Sequence, residues 1–566
     1  MITNLKDTFH NKDTFALYSC LNNLDTIYFD INLLQTNSIH RLFYSFPSKT
    51  IGTAGISRNL PWNCWQMDNI ENISYAFYGC KNILNIERLN VNNWNLSNVK
   101  NAANAFSNCW NLQSINTSLW NTYNMIDMAS MFFNCGNLLN LDVSNWQMNN
   151  VSNMAYAFSY CYNLTTLNVS NWNTKNLHNL ASVFFSCNNL TTLDVSNWNT
   201  SNVTNLAYAF SYCRNLTSLD ISNWNTDNVF NLFYIFSTCQ NLTYLNVANW
   251  NVGNVKIFGD AFAWCWNLIT LDVSNWDVSN ATSLSGIFSY CYNLTNLNVS
   301  NWNVSKTNSL YHIFASCNNL TTLNITNWNV SNVKNFGGGF AGCQRLSALN
   351  LFNWDTHNME DISYAFYNCR DLRDLDISLW NTQNIKYMNG LFLSCQNLDS
   401  LNLVNWNTTN VISLENAFHY CPNLKILNID SWNLVNITKL NGIFAYCNNL
   451  TTQSLESIGK AFSTINAWDK TFNNLSNLNI SGPFYNSNKA INWNSVSNET
   501  AQALINNGWV LEGTPPISAN FIVQYTDINN TSSSLGFETY DEVKHFMETT
   551  TLNLTDFTVQ EKGGSN

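Results

Sequence analysis

The chain has 566 residues and a net charge of −11, yet only 10% of it is charged, far below the roughly 25% of an ordinary soluble protein. No Lys/Arg stripe stands out, so nucleic-acid binding by phosphate neutralisation is not expected. No apolar run approaches the ~18 residues of a membrane helix, so membrane insertion is not expected either.

The first stretch, "MITNLKDTFHNKDTF", shows no signal-peptide core and no anchor. If Met1 is the native start, ordinary export is not expected. Residues 1–64 read as an N-terminal cap built on a degenerate repeat. Cys20, Leu24, Ile27 and Phe29 approximate a strand, and Ile39, Leu42 and Phe46 have helical spacing.

Residues 65–450 are a tandem array. Trp recurs every 26 residues from Trp94 to Trp432, Cys at the same step from Cys109 to Cys447, and a Phe stands three residues before each of those Cys. An earlier copy, from Trp65 to Cys80, joins through a step of 29, which makes about 15 repeats. A fixed period of this length predicts a solenoid. In the copy that starts at Leu190, Leu193 and Val195 alternate like a short strand, and Val203, Leu206, Phe210 and Cys213 share one face of a short helix. Asn202, just before that helix, is expected as its N-cap. Stacking would place the strands in a parallel sheet about 4.8 Å apart, with Trp, Phe and Cys as core ladders.

The units "F-x-x-C-x-N-L" and "L-x-V-S-N-W", repeated some fourteen times, resemble the BspA-type leucine-rich-repeat surface proteins, in the variant found in mycoplasma lipoproteins and in Firmicutes. The resemblance covers about residues 65–450. It implies extracellular display and adhesion or partner binding, without catalysis.

Residues 451–513 read as a C-terminal cap, with a last strand half at 474–482 and a helix stopped by Asn507-Gly508. "TPP" (514–516) is a linker signal. Residues 517–566 then read as a small α+β module: strand, helix over 538–550, strand. The fold expected is therefore an α/β solenoid: a right-handed leucine-rich-repeat rod with a parallel β-sheet, short helices on the other face, end caps and the small C-terminal module.

The aromatic edge is the sharpest candidate surface. Tyr160, Tyr162, Tyr212, Trp264, Trp266, Tyr290 and Tyr292 flank the repeat cysteines, and the last four stand on neighbouring rungs as a platform for a sugar ring or a partner loop. On the strand face, Asp194 and Asp220 are among the acids of one outward position, read as part of a hydrogen-bonded polar ladder rather than as a calcium site. Gly337, Gly338 and Gly339 interrupt one helix half, and Phe352 replaces a strand polar residue, as a bend, a contact spot or a tolerated defect. Fifteen of the 17 cysteines occupy one repeat position. The equivalence of every rung argues for buried free thiols rather than disulfides or zinc.

The seven His fall in unrelated phases, and no catalytic constellation, metal set or cofactor motif is present. The expectation is a non-enzymatic recognition or adhesion protein that binds a cell-surface glycan or protein. The alternative is a phage tail or fibre component, with a virion partner or a homo-oligomer burying the aromatic edge. An intracellular interaction scaffold comes third. The location expected is the extracellular surface or a virion.

Overall fold

The computed structural model describes residues 26–27, 38, 50–51, 68–81, 94–465, parts of 484–511, and the strand segments 521–526, 532–537 and 556–561. The chain divides into two units, Met1–Asn298 and Val299–Asn566.

The first unit contains short parallel strand pairs. β1 (Thr26–Ile27) pairs β2 (Thr50–Ile51), β3 (Ser114–Ile115) pairs β4 (Asn140–Leu141), and β5 (Tyr244–Leu245) pairs β6 (Thr270–Leu271). Single parallel bridges such as Thr166–Thr192 and Thr192–Ser218 continue the same ladder. β4, β5 and β6 each bury their Leu and expose the residue beside it, as in the pair Asn140–Leu141. A second ladder of parallel bridges runs through Asn153, Asn179, Asn205 and Asn231 on the other side of the rungs.

The core consists of three stacked rows. Successive tryptophans from Trp94 to Trp276 stack with their planes almost parallel; Trp146 and Trp172, for example, are 6.2 Å apart at 2°. The Trp172 indole N–H donates to the Val143 carbonyl at 3.0 Å, one rung back, so the buried donor is satisfied. Phe rings from Phe77 to Phe288 repeat at 5.2–6.1 Å. The described cysteines are buried and free, and from Cys109 to Cys291 each Sγ donates to a Phe carbonyl of the preceding rung, as Cys161 does to Phe132 at 3.3 Å.

The expected short helices are absent from residues 94–450. A helix with its side chains is about 10–12 Å wide, and rungs that place Phe every 5.2–6.1 Å leave half that width. The segment instead coils as successive β-turns. Alternate N–H groups, of Met154, Tyr156, Phe158 and Tyr160, donate to the next rung's Asn179, Ala181, Val183 and Phe185 carbonyls at 2.7–3.0 Å. The N–H groups between them close turns within the rung, as from Ala157 to Met154 at 3.0 Å and from Cys161 to Phe158 at 3.2 Å. The third residue of these two turns, Tyr156 or Tyr160, has a φ of 61°, as in a type II turn. Such turns keep Leu, Phe and Cys on the inside at the same spacing as a helix, so the apolar pattern alone does not separate the two.

Asn202 is accordingly no N-cap. Its amide donates to the Lys175 carbonyl at 2.8 Å, and Asn228 repeats the bond to Ser201 at 2.7 Å. The column of asparagines, broken by Lys306, ties successive rungs together. Gly337, Gly338 and Gly339 interrupt no helix either. Gly338 has a φ of 62° at one of the left-handed positions, and the His312 ring lies where its Cβ would stand.

In the second unit the same rows run from Trp302 to Trp432. Trp380 and Trp406 are 6.1 Å apart at 1°. β7 (Ala348–Asn350) pairs β8 (Asp374–Asp376), and β9 (Ser400–Asn402) pairs β10 (Ile426–Asn428). After β10 comes a true helix, α1 (Thr452–Phe462), capped by the Thr451 side chain. Its Ser454 and Ser457 hydroxyls accept from the Leu427 and Ile429 N–H groups at 3.0 and 2.7 Å, bonds that a further strand would otherwise supply. α2 (Asn498–Asn506), capped by Ser497, follows and ends at Asn507, close to the expected stop. Burial works against the Glu456 charge, but bonds from the Ser497 N–H and the Thr500 and Ser497 hydroxyls hold its carboxyl below its ordinary value.

The last described elements are β11 (Phe521–Thr526), β12 (Ser532–Phe537) and β13 (Asp556–Glu561), an antiparallel sheet with β11 in the centre. The expected helix at 538–550 and the strand half at 474–482 lie outside the described residues, as do Cys20, Cys64 and most of the expected N-terminal cap.

Candidate functional site

Left-handed turn residues decide which side chains face out. Two of them recur four residues apart on each rung, as at Tyr208 (φ 58°) and Tyr212 (φ 62°). The residues between them, such as Ala209 and Phe210, are buried. The turn face therefore carries two outward columns along the stack.

Four of the expected aromatics meet in one cluster of the first unit. Trp264, 37% exposed, stacks on Tyr290 with centroids 3.8 Å apart and planes 12° apart. Tyr290 meets Tyr292 edge-on at 6.0 Å, and Trp266 lies 6.0 Å from Tyr292. The Trp266 indole N–H is buried and unpaired among the described residues. Burial, and to a smaller extent Tyr290, raises the Tyr292 hydroxyl above its ordinary pKa.

Tyr160, Tyr162 and Tyr212 belong to a second aromatic cluster of the same unit. Phe185 is its hub, set edge-on to Tyr160 at 5.0 Å and to both Tyr208 and Tyr212 at 5.6 Å. Phe133 repeats the arrangement against Tyr156 and Tyr160, two rungs earlier. Rungs with two outward tyrosines alternate with rungs that insert one Phe between them. Tyr162 joins through Tyr160 at 5.8 Å and meets Trp110 at 5.6 Å. The sequence reading missed Tyr156, Phe185, Tyr208 and Tyr234 because it placed them on a helix. The signal that finds the three tyrosines is their common phase in the 26-residue repeat, at 156, 208 and 234.

The strand face carries a shallow depression of about 460 Å3, lined by Thr166, Thr192, Asp194, Ser218 and Asp220 among others. Its carboxylates are engaged locally rather than from rung to rung. Asp194 accepts from the Ser196 N–H at 3.1 Å and hydroxyl at 2.7 Å, and Asp220 accepts likewise from Ser222. The expected polar ladder is thus a column of separate Asx turns. The Ser222 hydroxyl, then its N–H, holds the Asp220 carboxyl below its ordinary value. Phe352 belongs to the second unit, where it stands 44% exposed just beyond β7. Among the described residues no three His, Cys, Asp or Glu side chains converge as metal ligands, and no helix is long and apolar enough to cross a membrane.

Stacked rungs, short parallel ladders and outward aromatic columns define a tandem-repeat, solenoid-like protein. The family described as "Mycoplasma protein of unknown function, DUF285" matches it four times, at residues 49–166, 157–270, 258–375 and 360–483, and the chain belongs to that family. No curated protein sequence matches the chain.

Proposed function

We propose that this chain is a non-enzymatic recognition protein that binds a partner at a cell surface, extracellularly, through the cluster of Trp264, Trp266, Tyr290 and Tyr292. The observation that carries the reading is the Trp264–Tyr290 stack, two large aromatics held outward on neighbouring rungs. Exposed aromatic clusters on a rigid scaffold are typical anchors of binding surfaces. A protein partner suits the geometry better than a sugar, because Trp264 and Tyr290 already cover one face of each other. We also read the repeat as a relative of the BspA-type leucine-rich repeats, with the right-handed coil that parallel strand crossovers take.

The test is binding of the purified chain to cultured host cells, against a variant with all four aromatics changed to Ala. The expected result is loss of binding with an unchanged circular dichroism spectrum and melting curve. Equal binding by a folded variant would overturn the proposal.

A further inference from the structure

One outward column of the first unit changes chemistry along its length. At the same turn position of successive rungs stand Tyr156, Ser182, Tyr208, Tyr234, Asp260 and Gly286. All of them adopt positive φ. Tyr208 and Tyr234 stack at 5.1 Å and 12°. Asp260 follows Tyr234 in the column, and its carboxylate interacts with the Tyr234 hydroxyl. Asp260 lies over Gly286, where any Cβ would collide with it, so no side chain from that position covers it. No Lys or Arg pairs with Asp260 among the described residues.

A half-buried carboxylate without a counter-charge is costly unless something completes it. Burial raises the Asp260 carboxyl above its ordinary value, and the Tyr234 bond only partly offsets this. Burial, and then Asp260 itself, pushes the Tyr234 hydroxyl up to about 12. A carboxylate beside tyrosine rings is the chemistry that receives an organic cation: the rings attract it through their quadrupole and the carboxylate supplies the charge. The neighbouring column already holds one such contact, with the Arg214 guanidinium 5.5 Å from the Tyr212 ring.

We propose that Tyr208, Tyr234 and Asp260 form a site for the ammonium or guanidinium of a Lys or Arg side chain on a partner protein. A partner protein fits better than a small cation, because Tyr208 also meets Phe185 of the Phe185–Tyr212 cluster, where a basic segment finds further contacts. The chain's net charge of −11 also complements a basic partner. The inference deepens the recognition reading and names the chemistry of its partner.

The experiment titrates the full chain into fluorescein-labelled octa-arginine at physiological salt and follows anisotropy. The wild type is expected to bind saturably. Asp260→Asn, which keeps the side-chain shape, is expected to weaken binding at least tenfold, and Tyr208→Ser, which copies Ser182, several-fold. Asp227→Asn, an exposed acid elsewhere, is expected to change nothing. Equal binding by wild type and Asp260→Asn, or an equal loss in Asp227→Asn, would overturn the site. So would calorimetric binding of tetramethylammonium by a wild type that does not bind the peptide, since the ligand would then be a small quaternary ammonium ion. If the four-alanine variant still binds the cells while Asp260→Asn loses the peptide, the reading through Trp264, Trp266, Tyr290 and Tyr292 fails and this one stands.

Discussion

The Cys213 thiol donates to the Phe184 carbonyl, 3.2 Å away and one rung back. The bond recurs along both units, so each cysteine is a space-filling donor on its neighbour's backbone. Burial pushes Cys213 up to about 12, and burial with the neighbouring thiols pushes Cys187 and Cys239 well above their ordinary value. Thiolates, not thiols, react with alkylating reagents and disulfides. The native protein at pH 8 is therefore expected to give at most two reactive thiols, from Cys20 and Cys64, out of 17. All 17 should react after unfolding in guanidinium. More than two modified cysteines in the folded state, located by peptide mass mapping, would contradict the buried row.

The left-handed positions predict opposite outcomes for two glycines. Gly338 has a φ of 62°, and the His312 ring fills the place of its Cβ. Gly338→Ala is expected to cost about 1–2 kcal/mol from the backbone alone, plus the displacement of His312. At Gly253 a Cβ would make ordinary contacts, at 3.4 Å to Asn251 and 3.5 Å to Asp277, without positive φ. Gly253→Ala is expected to be neutral or to stabilise by roughly 0.4–1 kcal/mol, since Ala restricts the unfolded chain. Urea titrations of the two variants give the comparison.

The same positions explain how much the sequence tells. Trp198, Phe210, Cys213 and Leu193 are buried as their repetition requires, because a stack can hide a large side chain only at a fixed phase. The strand half was legible from the alternation around Leu193 and Val195. The other half was not. Val203, Leu206, Phe210 and Cys213 fit one face of a helix and one side of a turn coil equally well. What excludes the helix is rung spacing, a property of the stack that no single repeat contains. The error spread outward, turning Asn202 into a cap and hiding Tyr208 and Tyr234 on a face that does not exist. Trp264 and Tyr290 were found nonetheless, since their column faces out in either conformation.

At the end of the second unit's ladder, the hydroxyls of Ser454 and Ser457 hold the Leu427 and Ile429 N–H groups. A strand edge with free N–H groups invites pairing with another chain. Ser454→Ala and Ser457→Ala each leave a buried donor without its partner, at an expected cost of about 1–3 kcal/mol. The double variant is also expected to self-associate where the wild type does not. Thermal melts and sedimentation velocity separate the two effects, and a double variant as stable as wild type would show that α1 does not cap through these serines.

Stability is expected to fall with acid in two stages of different origin. Burial lowers the pKa of His312, and also that of His419 despite the opposing effect of the Gly442 backbone. The unfolded chain therefore binds protons at these residues first, and stability drops as pH falls below their unfolded value of about 6.5. The second stage belongs to carboxyls held below their ordinary values, Asp220 and Asp272 by their serine partners and Glu456 by its capping bonds. Their contribution is complete above the unfolded carboxyl range, near pH 4, and fades as pH falls through the folded values. Asp260 has the opposite sign. Its folded pKa is raised, so the folded state disfavours its charge, and its contribution is lost as pH rises from the unfolded value through the folded one. Asp260→Asn should consequently be more stable than wild type at pH 7, with the difference shrinking at pH 4. His312→Gln should shrink the first stage to the share of His419 and leave the lower one intact. Urea midpoints measured from pH 8 to pH 3 resolve both. An Asp260→Asn variant less stable than wild type at pH 7 would mean that this carboxylate supports the fold, and would remove the reason to look for a cation that completes it.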